Sequence, residues 1–188
     1  NLMKLVSIGY MEGFYYKPRV DKESLEKYRD GLIAMTACLK GEVPSKLREL
    51  RFNDAMKACD DFRQIFGKDN VFLELQENNI PEQKTVNEGL VRLSREMGMN
   101  LVATNDVHYV NQEDARLQDV LLAIQTNSTL NDPDRMRMTD DSYYLRSPLE
   151  MSKIFSEVPD ALSNTLLIAE RCNVDLGFKG YHLPEFPV

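Results

Sequence analysis

VFLELQENNIPEQKTVNEGLVRLSREMGMNLVAT, residues 71–104, is the stretch on which the fold turns. It opens on a short apolar run, Val71-Phe72-Leu73-Glu74-Leu75, and closes on another, Leu101-Val102-Ala103-Thr104. Between them, Val86, Leu90, Leu93 and Met97 recur at helical spacing. Pro81 stands where a first helical turn has no N–H to lose, and Gly98 stands where a helix stops. A strand, a long helix and a strand form a crossover, so the two strands run parallel.

The same alternation continues upstream. Gly31 to Thr36 is apolar throughout and reads as a buried strand. Pro44 suits the first turn of a following helix. Asn53 is placed to cap another, with Ala55, Cys59, Phe62 and Phe66 on one face and Gly67 at its end. At the start of the chain, Leu2, Leu5, Val6 and Met11 suggest a short helix ending near Gly13. Phe14 to Arg19 is aromatic and basic, made extended by Pro18. Asp21 then caps a helix carrying Leu25 and Tyr28.

Downstream, Asn111 caps a helix with Leu117, Val120, Leu121 and Ile124. A polar loop follows from Asn127 to Asp141, with Asp132-Pro133 as a turn. Ser147-Pro148-Leu149-Glu150 is a capping box. Pro159 starts a last helix, with Leu162, Leu166 and Ala169 expected on its buried face, and residues 177–188 read as an extended exit segment. The fold class is therefore α/β, parallel strands with crossover helices. Three parallel strands leave faces and edges uncovered, which points to a larger parent domain such as a barrel.

Composition limits the function classes. The 188 residues are 43% hydrophobic and 28% charged, a globular profile. No apolar run reaches the ~18 residues of a membrane helix, and no targeting segment is visible, so a cytoplasmic protein is expected. The net charge of −7 argues against simple binding to a phosphate backbone, but leaves room for a site in which metal ions supply positive charge. Three scattered cysteines form no disulfide framework. The chain opens on Asn1 inside a helical pattern, as a fragment of a longer polypeptide would.

The chemistry is concentrated at strand ends. Thr104-Asn105-Asp106-Val107-His108-Tyr109 follows the third strand directly, and parallel α/β folds gather function at the carboxyl ends of strands. A carboxylate and an imidazole are ordinary ligands for zinc, manganese or iron. In an extended segment, the spacing of two residues points both side chains one way. The alternative is a solvated turn with an Asp cap and an incidental histidine. Cys38 lies two residues past the first strand, where a thiolate can ligate a soft ion or a small apolar residue can simply be buried. Cys59 and Cys172 read as core. Glu74, next to Leu75 in the middle strand, faces the same site or points to solvent by alternation, with the structural reading preferred, and His182 reads as a loop histidine. Lys17 and Arg19, beside two tyrosines, form a candidate phosphate or DNA contact or else a surface loop. No nucleotide-binding glycine loop, serine-hydrolase elbow or HExxH motif is present.

Several segments carry a resemblance: 14–20, 31–43, 72–76, Leu101 to Tyr109, 164–172 and Leu183 to Pro187. In this order they resemble the N-terminal PHP (polymerase and histidinol phosphatase) domain of bacterial DNA polymerase III alpha subunits. The resemblance implies a distorted (β/α) barrel with a cluster of divalent metal ions, zinc, manganese or magnesium, at the carboxyl ends of its strands. Residues 1–176 correspond to the second half of that domain, and 177–188 to the exit towards a polymerase core. Cys38 falls on the family's cysteine ligand, and Asp106 and His108 on its final Asp-x-His motif. An earlier His-x-His motif is expected upstream of Asn1. The resemblance further implies a DNA polymerase parent, a 3′–5′ exonuclease in members that keep the ligands, and DNA, other replicase subunits and a proofreading subunit as partners. The rival readings are a non-catalytic bracing and docking module, and a stand-alone PHP phosphoesterase. The isolated fragment is expected to be inactive.

Overall fold

A computed structural model describes residues 1–175, 177, 180 and 181. The exit segment proposed for 177–188 and His182 fall almost wholly outside the described residues. The predicted strand–helix–strand unit forms as read. Val71–Gln76 (β2), Pro81–Met97 and Asn100–Thr104 (β3) follow one another, and β2 pairs with β3 in parallel. A shorter strand, Ala34–Met35 (β1), pairs with the other side of β2, so β2 is central. Gly98 closes the crossover helix in the left-handed conformation, at φ 62°.

Helices Leu2–Met11 (α1) and Lys22–Lys27 (α2) precede β1. Asp21 caps α2 as expected, accepting the backbone N–H of Ser24 at 2.8 Å. Glu42–Arg48 (α3) and Phe52–Phe66 (α4) lie between β1 and β2, and Pro81–Met97 is α5. Ala115–Gln125 (α6), Pro148–Ile154 (α7) and Pro159–Arg171 (α8) follow β3. No helix among the described residues is long and apolar enough to cross a membrane.

The core lies on one face of the sheet. Val71, Leu73 and Leu75 of β2 pack with Val43 and Leu47 of α3, Ala55 and Cys59 of α4, and Val86, Leu90 and Leu93 of α5. Alternation along the strand sends Phe72, Glu74 and Gln76 to the other face. Cys59 is fully buried, and burial pushes its thiol up to about 12, so it is core as read. Cys172 is not core: it caps the end of α8 and is exposed.

Several expectations about element boundaries change. The first strand keeps only two of the six apolar residues, because Gly31 sits at φ 77° and Ala37 at φ 62°, each turning the chain away from the ladder. The helix expected to be capped by Asn53 begins a residue before it. Arg51 stands at the cap, and its Nε donates to Asp54 Oδ2 at 2.9 Å. Residues 14–19 are not extended throughout. Tyr16 takes φ 60°, and the N–H of Tyr15 donates to the carbonyl of Lys17.

The last helix turns by about one residue from the predicted face. Ala161 is buried and Leu162 packs against the core as expected, while Leu166 and Ala169 are exposed. The reason lies in β3, the sheet edge on which α8 packs. Asn164 donates from Nδ2 to the carbonyl of Leu101 at 2.8 Å, so a polar residue occupies the contact face and satisfies an edge-strand carbonyl.

The Ser147–Glu150 capping box forms, with Ser147 accepting the N–H of Glu150 and Glu150 Oε2 accepting that of Ser147. Hydrogen bonds from Ser147 and Tyr144 hold the Glu150 carboxyl down at about 2.

Candidate metal centre

The loop after β3 carries Asp106 and His108. Asp106 is at φ 50°, so the segment is not extended there, and simple alternation does not describe it. Aspartate tolerates this left-handed conformation better than most residues. The turn brings the His108 ring back onto the chain, with Nδ1 2.6 Å from the carbonyl oxygen of Asp106. A carbonyl can only accept, so Nδ1 is the donor, which leaves Nε2 as the nitrogen that could offer a lone pair. A histidine fixed through one nitrogen to a backbone carbonyl, with the other nitrogen exposed, is the arrangement that metal-ligating histidines adopt.

The loop is anchored by a second segment. The backbone N–H of His108 donates to the carbonyl of Tyr143 at 2.8 Å, and the two rings meet edge to face at 5.5 Å. Tyr109 and Tyr144 form a parallel bridge. Asn105, buried, donates from Nδ2 to the carbonyls of Tyr144 (2.5 Å) and Ser142 (3.3 Å). Its Oδ1 accepts Arg146 Nη1 at 2.8 Å, and Arg146 also reaches the carbonyl of Glu77. Asn78, fully buried, donates to the carbonyl of Asn105 and pairs with Gln83.

Sequence reading missed this support. Asn78, Asn105, Tyr143 and Arg146 carry no periodic signal and sit in what looks like turn sequence. The loop 127–141 is also less free than expected. The Arg135 side chain is 5% exposed and clasps Asp119 of α6 through both guanidinium ends, at 2.5 and 2.6 Å.

Cys38 lies in the turn that joins β1 to α3, and it is exposed. The N–H of Gly41 closes this turn on the carbonyl of Cys38 at 2.8 Å. A Cβ at Gly41 would fall 2.2 Å from the carbonyl oxygen of Thr36 and 3.1 Å from that of Cys38. Gly41→Ala must therefore deform the Cys38 turn. It is expected to destabilise the chain by about 1–3 kcal/mol. Urea unfolding is the measurement, and an unchanged midpoint would contradict the packing.

Cys38 and the Asp106–His108 pair stand at the same end of the sheet with β2 between them. Among the described residues, no group of three or more His, Cys, Asp or Glu side chains converges to hold one ion. The donor types, sulfur, nitrogen and oxygen, suit a divalent transition ion. Among the described residues they do not close a coordination shell.

Lys17 and Arg19 stand apart from this arrangement. The Arg19 guanidinium lies over the Tyr15 ring, 5.4 Å from its centre. No hydrogen bond, ion pair or ring contact among the described residues joins either side chain to the strand-end loops.

Comparison with known proteins gives this geometry its relatives. The family model for the PHP domain matches residues 1–78. DNA polymerase III subunit alpha of Borreliella burgdorferi is 46% identical over all of this chain. Along its whole length the chain is similar to one stretch of DNA polymerase III alpha subunits. The Thermus aquaticus subunit is 43% identical over 100% of the chain, and that of Saccharopolyspora erythraea 46% identical over 91%. The chain spans only 16% of the Borreliella burgdorferi and Thermus aquaticus relatives and 14% of the Saccharopolyspora erythraea one. The parallel sheet and crossover helices fit a partial PHP (β/α) fold.

Proposed function

We propose that the chain is part of a cytoplasmic DNA polymerase III alpha subunit that carries out templated DNA synthesis, and that it contributes Cys38, Asp106 and His108 to a multi-metal centre for 3′–5′ exonuclease proofreading. The observation that carries the reading is the His108 ring after the carboxyl end of β3, with Nδ1 held on the Asp106 backbone carbonyl so that Nε2 is the nitrogen left to offer. Residues 1–176 form the second half of the PHP domain in this reading, and the remaining ligands come from the parent chain.

When bound, divalent ions of zinc, manganese or magnesium supply Lewis-acid charge for activating water and stabilising a phosphodiester. His108 would offer a nitrogen, Cys38 a sulfur and Asp106 an oxygen to such ions. The Tyr143 and Asn105 contacts keep the Asp106–His108 loop in one conformation, which spares the centre that ordering on binding. DNA is the substrate, and other replicase subunits are the partners.

The test uses the full-length parent without any separate proofreading subunit. Metal-dependent shortening of single-stranded DNA from its 3′ end, abolished by chelation, is the expected result. Metal-loaded parent that leaves such DNA intact would eliminate the exonuclease.

A bracing and docking role is the second reading, and α6 is what favours it. Leu117, Leu121 and Ile124 form one face of that helix and are 62%, 58% and 71% exposed. Apolar residues aligned in this way usually meet another surface. A stand-alone phosphoesterase gains no support, because the relatives match as polymerase subunits along this chain.

A further inference from the structure

Glu74 lies on the face of β2 away from the main core and touches both the turn after β1 and the last residue of β3. Its Oε2 accepts the backbone N–H of Ala37 at 3.1 Å, next to Cys38. Its Oε1 accepts the hydroxyl of Thr104 at 2.6 Å and Gln76 Nε2 at 3.2 Å. Its own backbone N–H donates to Thr36 Oγ1 at 2.8 Å. One carboxylate thus spans the central strand, from the end of β1 to the end of β3.

Both loops need such a tie. Ala37 and Asp106 each adopt a left-handed backbone, at φ 62° and 50°. Non-glycine residues hold that conformation only where their surroundings fix it. On the β3 side, Asn105 and Tyr143 provide that support. On the β1 side, the Glu74 carboxylate is the side chain that bonds the Ala37 amide.

We propose that Glu74 is a positioning residue that fixes the Cys38 turn relative to the Asp106–His108 loop. Its functional meaning rests on reading those three residues as ligands of one centre. The carboxylate accepts from donors on both sides, a role that a glutamine amide, with one accepting atom, cannot fill.

The test is a double-mutant cycle on the metal-free full-length parent. The alkylation rate of Cys38 by iodoacetamide is read by peptide mass spectrometry, with Cys172 as the reference thiol outside the network. Thr104→Val removes a hydroxyl from the end of β3 and leaves the Glu74 charge in place. It is expected to change the Cys38 rate by about twofold or more, as residues that share a network do. The same substitution in a Glu74→Gln background is expected to change nothing further, and Thr104→Ser is expected to restore the original rate.

An unaltered Cys38 rate in Thr104→Val overturns the proposal. So does an equal change in both backgrounds, which would mean that the signal bypasses Glu74. Where Glu74→Gln fails to fold, the contrast between valine and serine at position 104 decides. Cobalt(II) titration keeps the two readings apart: absence of a thiolate-to-cobalt band in the unaltered parent would remove the metal centre and leave the coupling measurement standing.

Discussion

Phe72→Ala is expected to cost about 3–5 kcal/mol of folding stability, the usual range for emptying a buried aromatic site. Phe72 is the largest fully buried side chain among the described residues, at 0% exposure in the central strand. Total stability of a domain is about 5–15 kcal/mol, so the loss is a large fraction of it. The urea midpoint should fall by about 1–3 M at ordinary slopes. A paired control sharpens the result. Met35 stands opposite Phe72 in the register of β1 and β2, yet it is 46% exposed. Met35→Ala should therefore shift stability by no more than about 0.5 kcal/mol. Similar midpoints for the two variants would mean that the sheet does not bury Phe72 as described.

Such contrasts show where the sequence was legible. The β2–α5–β3 unit was readable because three local signals agreed: a proline start, a glycine stop and helical spacing between two apolar runs. Likewise, Asp21 and Ser147 cap the helices they were expected to cap, since a cap is decided within a few residues. The exposed face of α6 shows the limit. Leu117, Leu121 and Ile124 have the right period, but a period does not say whether a surface exists to receive them. The buried face of α8 was misplaced for a related reason. Asn164 faces the sheet because β3 is an edge with a carbonyl to satisfy, a tertiary fact that the helix sequence does not contain.

The candidate site divides in the same way. Asp106, His108 and Cys38 were legible as residue types after strands. The left-handed turn at Asp106 was not, and it replaces same-side pointing with a ring folded back on its own backbone. Glu74 was read as structural and is the residue that touches both the turn after β1 and the last residue of β3. A mid-strand glutamate looks the same in sequence whether it faces water or bridges two neighbours. Only the register, with Glu74 opposite Val102 and Gln76 opposite Thr104, brings its carboxylate within reach of both ends.

Substitutions at Asp106 and His108 are expected to have the largest effect on metal content, provided that charge and backbone are separated. Asp106→Ala would confound the two, because alanine strains at φ 50° and the loop itself would shift. Asp106→Asn avoids this, since asparagine accepts the left-handed conformation as readily as aspartate and removes only the negative charge. His108→Ala removes the nitrogen donor but leaves the backbone bond from residue 108 to the Tyr143 carbonyl. Loss of a group that merely orients a ligand costs about 10–100-fold in metal affinity, so loss of the ligand itself should reach at least about a hundredfold. Equilibrium dialysis of the full-length parent followed by elemental analysis measures it, with folding checked by the urea midpoint. Both variants should keep the midpoint and lose metal, and 3′-end shortening of DNA should fall with it. If both bind as tightly as the unaltered parent, the Asp106–His108 loop is a structural turn, and the bracing role suggested by α6 becomes the better account of this region.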